Sequence, residues 1–122
     1  MPQIDTSDKN APKVRKLDLS NKAVQRGFEA LPEKVRDRFL FNLAMVCQGL
    51  EPVLKHQKLR GPCEGVIELK INGSPAYRCM YAVRKSGDVV VLHVTSKTTQ
   101  GQDKQLMATT AERLKQLGQD QV

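Results

Sequence analysis

Between Val66 and Thr95 the chain alternates in polarity with a period of two, and two short turn-forming breaks cut this stretch into three runs. The runs are Val66 to Ile71, Ala76 to Arg84 and Asp88 to Thr95; the breaks are Asn72-Gly73-Ser74-Pro75 and Lys85-Ser86-Gly87-Asp88. Breaks this short suit hairpin links, so an antiparallel meander is expected. Successive side chains on a strand point to opposite faces, which splits the runs into two sets. Ile67, Leu69, Ile71, Tyr77, Cys79, Tyr81, Val83, Val90, Leu92 and Val94 form a nearly continuous apolar set, expected to be the core face. In the other set Glu68, Lys70, Arg78, Arg84 and His93 interrupt Val66, Met80, Val89, Val91 and Thr95. Such a sheet calls for helices on the first face and solvent or a ligand on the second.

The rest of the chain supplies those helices. Residues 1–15 are polar without a sustained period and read as a flexible basic arm, leaving 16–122 as one domain. Val14, Leu17 and Leu19 alternate loosely enough for a short edge strand. Ser20 or Asn21 can cap a first helix with Ala23, Val24, Phe28 and Leu31 on one face, which Gly27 weakens. Leu31-Pro32-Glu33 ends it and starts a second, longer helix, whose stripe of Val35, Phe39, Leu43, Val46 and Leu50 is widened by Leu40, Ala44 and Cys47. Lys34, Arg36, Asp37 and Arg38 read as its solvated face. Gly49 and Pro52 close the helix, and the segment from Lys55 to Gly61 reads as a loop. After a polar turn over Thr98 to Gln102, Asp103 or a neighbour starts a last helix with Met107, Ala111 and Leu114 in a stripe, ending near Gly118. The expected class is α+β: a small antiparallel sheet, a three-stranded meander with a permitted fourth N-terminal edge strand, covered on one face by an N-terminal helical hairpin, with a C-terminal helix.

A formal net charge of +7 over 122 residues favours a polyanionic partner, nucleic acid or an acidic protein, although a merely basic surface is the plainer account. There is no Trp, and both Tyr fall on the apolar set, so a base-stacking platform is not expected and RNA would be held through its phosphates. Cys47, Cys63 and Cys79 lack metal-site spacing, and Cys47 and Cys79 sit at core positions; reduced thiols, no zinc and no disulfide are expected. With no signal pattern and no apolar run near the roughly 20 residues of a membrane span, a cytoplasmic protein is expected.

Five segments, in order, resemble the RelE/HigB superfamily of bacterial type II toxins, especially its phage-derived HigB-like branch. They are Leu31-Pro32-Glu33-Lys34-Val35-Arg36, Lys58-Leu59-Arg60-Gly61, Gly65-Val66-Ile67-Glu68-Leu69, Tyr77-Arg78-Cys79-Met80-Tyr81 and Val89-Val90-Val91-Leu92-His93. The resemblance runs from about residue 20 to the end. It implies a toxin that cleaves mRNA on the ribosome without metal or other cofactor, neutralised by a cognate antitoxin, commonly a small helix-turn-helix protein encoded beside it. In the implied reaction the RNA 2′-hydroxyl attacks the adjacent phosphorus, which requires a base, cationic stabilisation of the phosphorane and an acid for the leaving 5′-oxygen.

By that resemblance Arg78 is the phosphate-contacting arginine, Lys70 its neighbour on the preceding strand, and Lys97 a basic residue near the scissile phosphate. Lys58 and Arg60 form a basic lip that grips RNA. Each has a plainer reading: Glu68 can hold Arg78 or Lys70 in a surface ion pair, the KLRG segment can serve its turn alone, and Arg84 is expected to be solvated. His93 shares a face with Arg78 and Lys70 and can act as base or acid, or serve as a packing histidine; His56 can approach the same cleft. The sequence departs from the family after the last strand, with one cation where many members have two, and neither Tyr nor His in the final helix. The general acid is therefore unassigned. Two other functions fit the same scaffold: a non-catalytic poison of DNA gyrase like the related ParE toxins, or an attenuated regulatory relative that binds a partner protein. An antitoxin is expected to cover the basic cleft with a helix or acidic segment.

Overall fold

A computed structural model describes residues 14–97 and 103–118. The expected flexible arm, apart from Val14 and Arg15, and the polar turn Thr98 to Gln102 lie outside the described residues. The elements run β1 (Leu17–Asp18), α1 (Lys22–Glu29), α2 (Glu33–Cys47), β2 (Lys55–Lys58), a 3-10 turn (Gly61–Cys63), β3 (Val66–Ile71), β4 (Ala76–Val83), β5 (Val89–Lys97) and α3 (Lys104–Gln116). The strands form one sheet in the order β1-β5-β4-β3-β2. β1 lies parallel to β5, and every other pair is antiparallel.

The meander and the N-terminal edge strand are present, but the sheet is mixed and five-stranded. The added strand is β2, in the segment expected to be a loop. Its residues, Lys-His-Gln-Lys, are all polar and exposed and show no alternation. Pairing with β3 alone holds it, Lys55 opposite Lys70 through Lys58 opposite Ile67.

A β-bulge corrects the expected faces of the last strand. Met80 pairs with His93 while Tyr81 pairs with Val91, so Leu92 is an inserted residue. An extra residue reverses the alternation beyond it. Val89 and Val91, expected on the cationic face, therefore join Cys79, Tyr81 and Val94 beneath α1 and α2, which cover the sheet separately rather than as the expected packed hairpin. Val90 and Leu92, expected in that core, join Met80 and Ala82 on the opposite face.

The second face is consequently not left wholly to solvent. Leu106 and Leu114 of α3 pack on Val66, Met80, Ala82, Val90 and Leu92, with Leu59 and Cys63 closing the side. The larger core lies under α1 and α2, where Val24, Phe39 and Leu43 are fully buried. This double cover leaves open only the part of the second face around Lys70 and Arg78.

Local chemistry sets each helix. The Asn21 side chain accepts from the Ala23 and Val24 amides at 2.8 and 3.1 Å, the expected cap. Gly27, read as a weakness in α1, permits its packing: a Cβ there would stand 2.7 Å from the Val94 carbonyl oxygen of β5. In α2, Asn42 is 2 % exposed; its Oδ1 accepts from the Val53 and Leu54 amides at 2.8 and 2.9 Å, and its amide donates to the Arg38 carbonyl. One polar side chain inside an apolar stripe thus fixes the chain leading to β2. Asp103 caps α3 by accepting from the Leu106 amide. Cys47, Cys63 and Cys79 are buried and unpaired, and burial raises each thiol pKa.

Candidate functional site

On the uncovered part of the sheet is a cleft of about 670 Å³. β2 contributes Gln57 and Lys58, and the segment after it Leu59 and Arg60. The sheet supplies Glu68, Lys70, Arg78 and Lys97, and the start of α3 supplies Asp103, Leu106 and Met107. The floor follows from strand register. Lys70 and Arg78 are direct partners across β3 and β4, and paired residues project to the same face, so two cations stand side by side. Like charges in that relation repel unless something offsets them. Glu68 does so for Arg78: its Oε2 lies 3.1 Å from Nε, an ion pair without linear hydrogen-bond alignment, while Nη1 donates to the Tyr77 carbonyl at 2.9 Å. Both residues are buried. The uncharged Gln57 accepts from Lys70 Nζ at 2.8 Å and holds that ammonium in place.

The rim is built differently. Leu59 is buried and its amide donates to the Val66 carbonyl, so the apolar residue of the KLRG segment anchors the turn while Lys58 and Arg60 are left exposed beside it. Lys58 belongs to β2 rather than to a loop. Lys97 ends β5, and α3 runs back over the sheet so that its capping Asp103 reaches the same opening. Five cations therefore face two carboxylates, giving the cleft a positive balance suited to phosphate.

Of the residues singled out in the sequence, Lys58, Arg60, Lys70, Arg78 and Lys97 are brought together here. His93 is not among the lining residues. It shares the face, opposite Met80, but is bound to α3: Arg113 Nη1 donates to the Leu92 carbonyl at 2.8 Å and lies 3.2 Å from His93 Nδ1. Burial, reinforced by that guanidinium and opposed by Asp103, lowers the His93 pKa to about 4. The ring is neutral near pH 7, with Nδ1 as acceptor. His56 lies outside the lining as well, its Nδ1 2.8 Å from the Leu54 carbonyl and its Nε2 3.4 Å from Glu51. Arg84, expected to be solvated, stands 3.9 Å from Asp18 at the far end of the sheet.

Three polar lining residues, Gln57, Glu68 and Asp103, were not singled out as functional in the sequence. Glu68 had been weighed only as an ion-pair partner and Asp103 only as a cap. Gln57 had no signal, because its strand had none. Among the described residues no three His, Cys, Asp or Glu side chains form a group able to hold a metal ion, and no helix is long and apolar enough to cross a membrane.

No curated protein and no solved structure matches the chain. The family model for phage derived protein Gp49-like (DUF891) matches residues 26–115, a span that contains every residue lining the cleft. The match covers most of the chain, which therefore belongs to the phage-derived Gp49-like family, a RelE/HigB-like toxin-related family associated with the toxins of toxin-antitoxin systems.

Proposed function

We propose that the protein is a toxin that cleaves mRNA on the ribosome by metal-independent transesterification, with the cleft as its active site. The carrying observation is the buried Glu68–Arg78 pair on a floor surrounded by Lys58, Arg60, Lys70 and Lys97. A phosphate entering this cleft passes the exposed Lys58 and Arg60 of the rim and reaches Lys70 and Arg78 on the floor. As the 2′-oxygen bonds to phosphorus, its proton passes to the Glu68 carboxylate, which Arg78 holds in place. Negative charge on the phosphorane is met by Arg78, placed where charge develops. The bond from phosphorus to the 5′-oxygen then breaks, and Lys70 and Lys97 supply charge and a proton to that oxygen. The products are a 2′,3′-cyclic phosphate and a 5′-hydroxyl. His93 is given no step, because Arg113 occupies its Nδ1 and it does not line the cleft.

Family membership suggests a cognate antitoxin as partner, and the positive balance of the cleft suits occlusion by an acidic segment. The function is tested by adding the purified protein to a translating extract and following mRNA integrity, with wild type, Arg78→Ala and Glu68→Gln. Cleavage by wild type that either variant reduces by 10²-fold or more is expected. Intact mRNA with every protein contradicts the reading.

One observation favours a second reading, a non-catalytic poison on this scaffold such as one directed at DNA gyrase: the Arg78 guanidinium is already engaged by Glu68 and by the Tyr77 carbonyl. That reading predicts DNA damage with intact mRNA after induction, and toxicity that survives Arg78→Ala combined with Lys70→Ala.

A further inference from the structure

Lys55 begins the edge strand β2 and lies outside the cleft lining. Its register partner is Lys70, whose partner on the other side is Arg78, whose partner in turn is Thr95. Partners across antiparallel strands project to one face, so Lys55, Lys70 and Arg78 form a straight cationic row perpendicular to the strands. At about 4.8 Å between strands the row spans about 10 Å; three phosphates enclose two steps, about 7 Å at the roughly 3.4 Å rise of a stacked strand, so the row fits a strand drawn out beyond that rise. The row leads from the buried floor at Arg78 to Lys55 on β2, the last strand of the sheet among the described residues. Lys55 is exposed, whereas Lys70 is tied to Gln57 and Arg78 to Glu68.

We propose that this row is the track of the single strand: the RNA crosses the sheet at right angles to the strands, its reacting phosphate at Arg78, the next at Lys70, and a following one leaving over the sheet edge at Lys55. The inference rests on the proposed RNA-cleaving function and adds to it a binding residue and a direction. Among the described residues no aromatic side chain lines the cleft, so recognition there is of phosphate, not base. The competing role for Lys55 is protection of an edge strand against pairing with another copy, since lysine commonly guards such edges.

The test uses the full chain and a short fluorescent single-stranded oligonucleotide with 2′-deoxy sugars, which cannot be cleaved, with affinity measured by anisotropy across a range of salt. Each phosphate neutralised on a single strand contributes about 0.7 to the slope of log affinity against log salt. Lys55→Ala is expected to weaken binding several-fold and lower that slope by about 0.7, Lys55→Arg to restore both, and Lys34→Ala on exposed α2 to change neither. An unchanged slope in Lys55→Ala while Arg78→Ala weakens binding overturns the track and leaves the proposed function standing. If neither variant weakens binding, both fall. Self-association of Lys55→Ala with unaltered nucleic-acid affinity also overturns the track and assigns the residue to edge protection.

Discussion

Glu68 Oε2 and Arg78 Nε stand 3.1 Å apart, and these two are the only buried charged residues among those described. Withdrawing an ion from water costs several kcal/mol, and only a partner offsets it. Removing one member should therefore cost more than removing both. Arg78→Gln is expected to lower unfolding free energy by about 2–4 kcal/mol, less than a fully enclosed pair because the cleft admits water. The double variant Glu68→Gln, Arg78→Gln should be destabilised by less than the sum of the two single changes. Urea denaturation of the four proteins measures this.

Gly27 sets two opposed effects against each other. Glycine to alanine within a helix ordinarily stabilises by about 1 kcal/mol. Here the added Cβ meets a backbone carbonyl of β5 at 2.7 Å, and overpacking costs about 1–3 kcal/mol. Because the obstructing atom is backbone and cannot rotate away, the clash is expected to win. Gly27→Ala should show a lower Tm than wild type; a higher one would mean that α1 is not seated so closely.

Asn42→Ala removes the acceptor for the Val53 and Leu54 amides. An amide orphaned in the interior costs about 1–3 kcal/mol, and the one at Val53 can turn to water. A loss of about 2 kcal/mol is expected, with faster hydrogen exchange confined first to Val53 and Leu54. Asn42→Asp keeps the acceptor but loses the donor to the Arg38 carbonyl and buries a charge, so it should be destabilised as well.

His93 couples stability to acid. Its folded pKa of about 4 lies below its ordinary value of 6.5, so the unfolded chain binds the extra proton first. The stabilisation is fully present above pH 6.5 and is lost progressively as pH falls toward 4. Wild-type Tm should therefore drop through this window, by more than in His93→Gln, and the difference between the two curves isolates the histidine from the carboxylates.

Alternation and capping signals made much of this architecture legible. The meander came from period-two runs, α1 and α3 from Asn21 and Asp103, and the cationic pair from the facing positions of Lys70 and Arg78. What was lost had physical causes. β2 carries four polar residues whose strand form comes from pairing with β3, so no local pattern could reveal it. The bulge at Leu92 lies within an unbroken apolar run from Val89 to Leu92, where a shift of register leaves no mark on composition. His93 was placed on the right face, but α3, folding back from a distant part of the sequence, brings Arg113 to it and Asp103 to the cleft.

The central claim concerns the bond that is broken and the group that breaks it. The most direct measurement is the end chemistry of mRNA recovered from a translating extract treated with the protein in excess chelator. The account predicts new fragments ending in 2′,3′-cyclic phosphate with 5′-hydroxyl partners, and none with Arg78→Ala. Fragments bearing 3′-hydroxyl ends, or equal cleavage by the Arg78 variant, would contradict it.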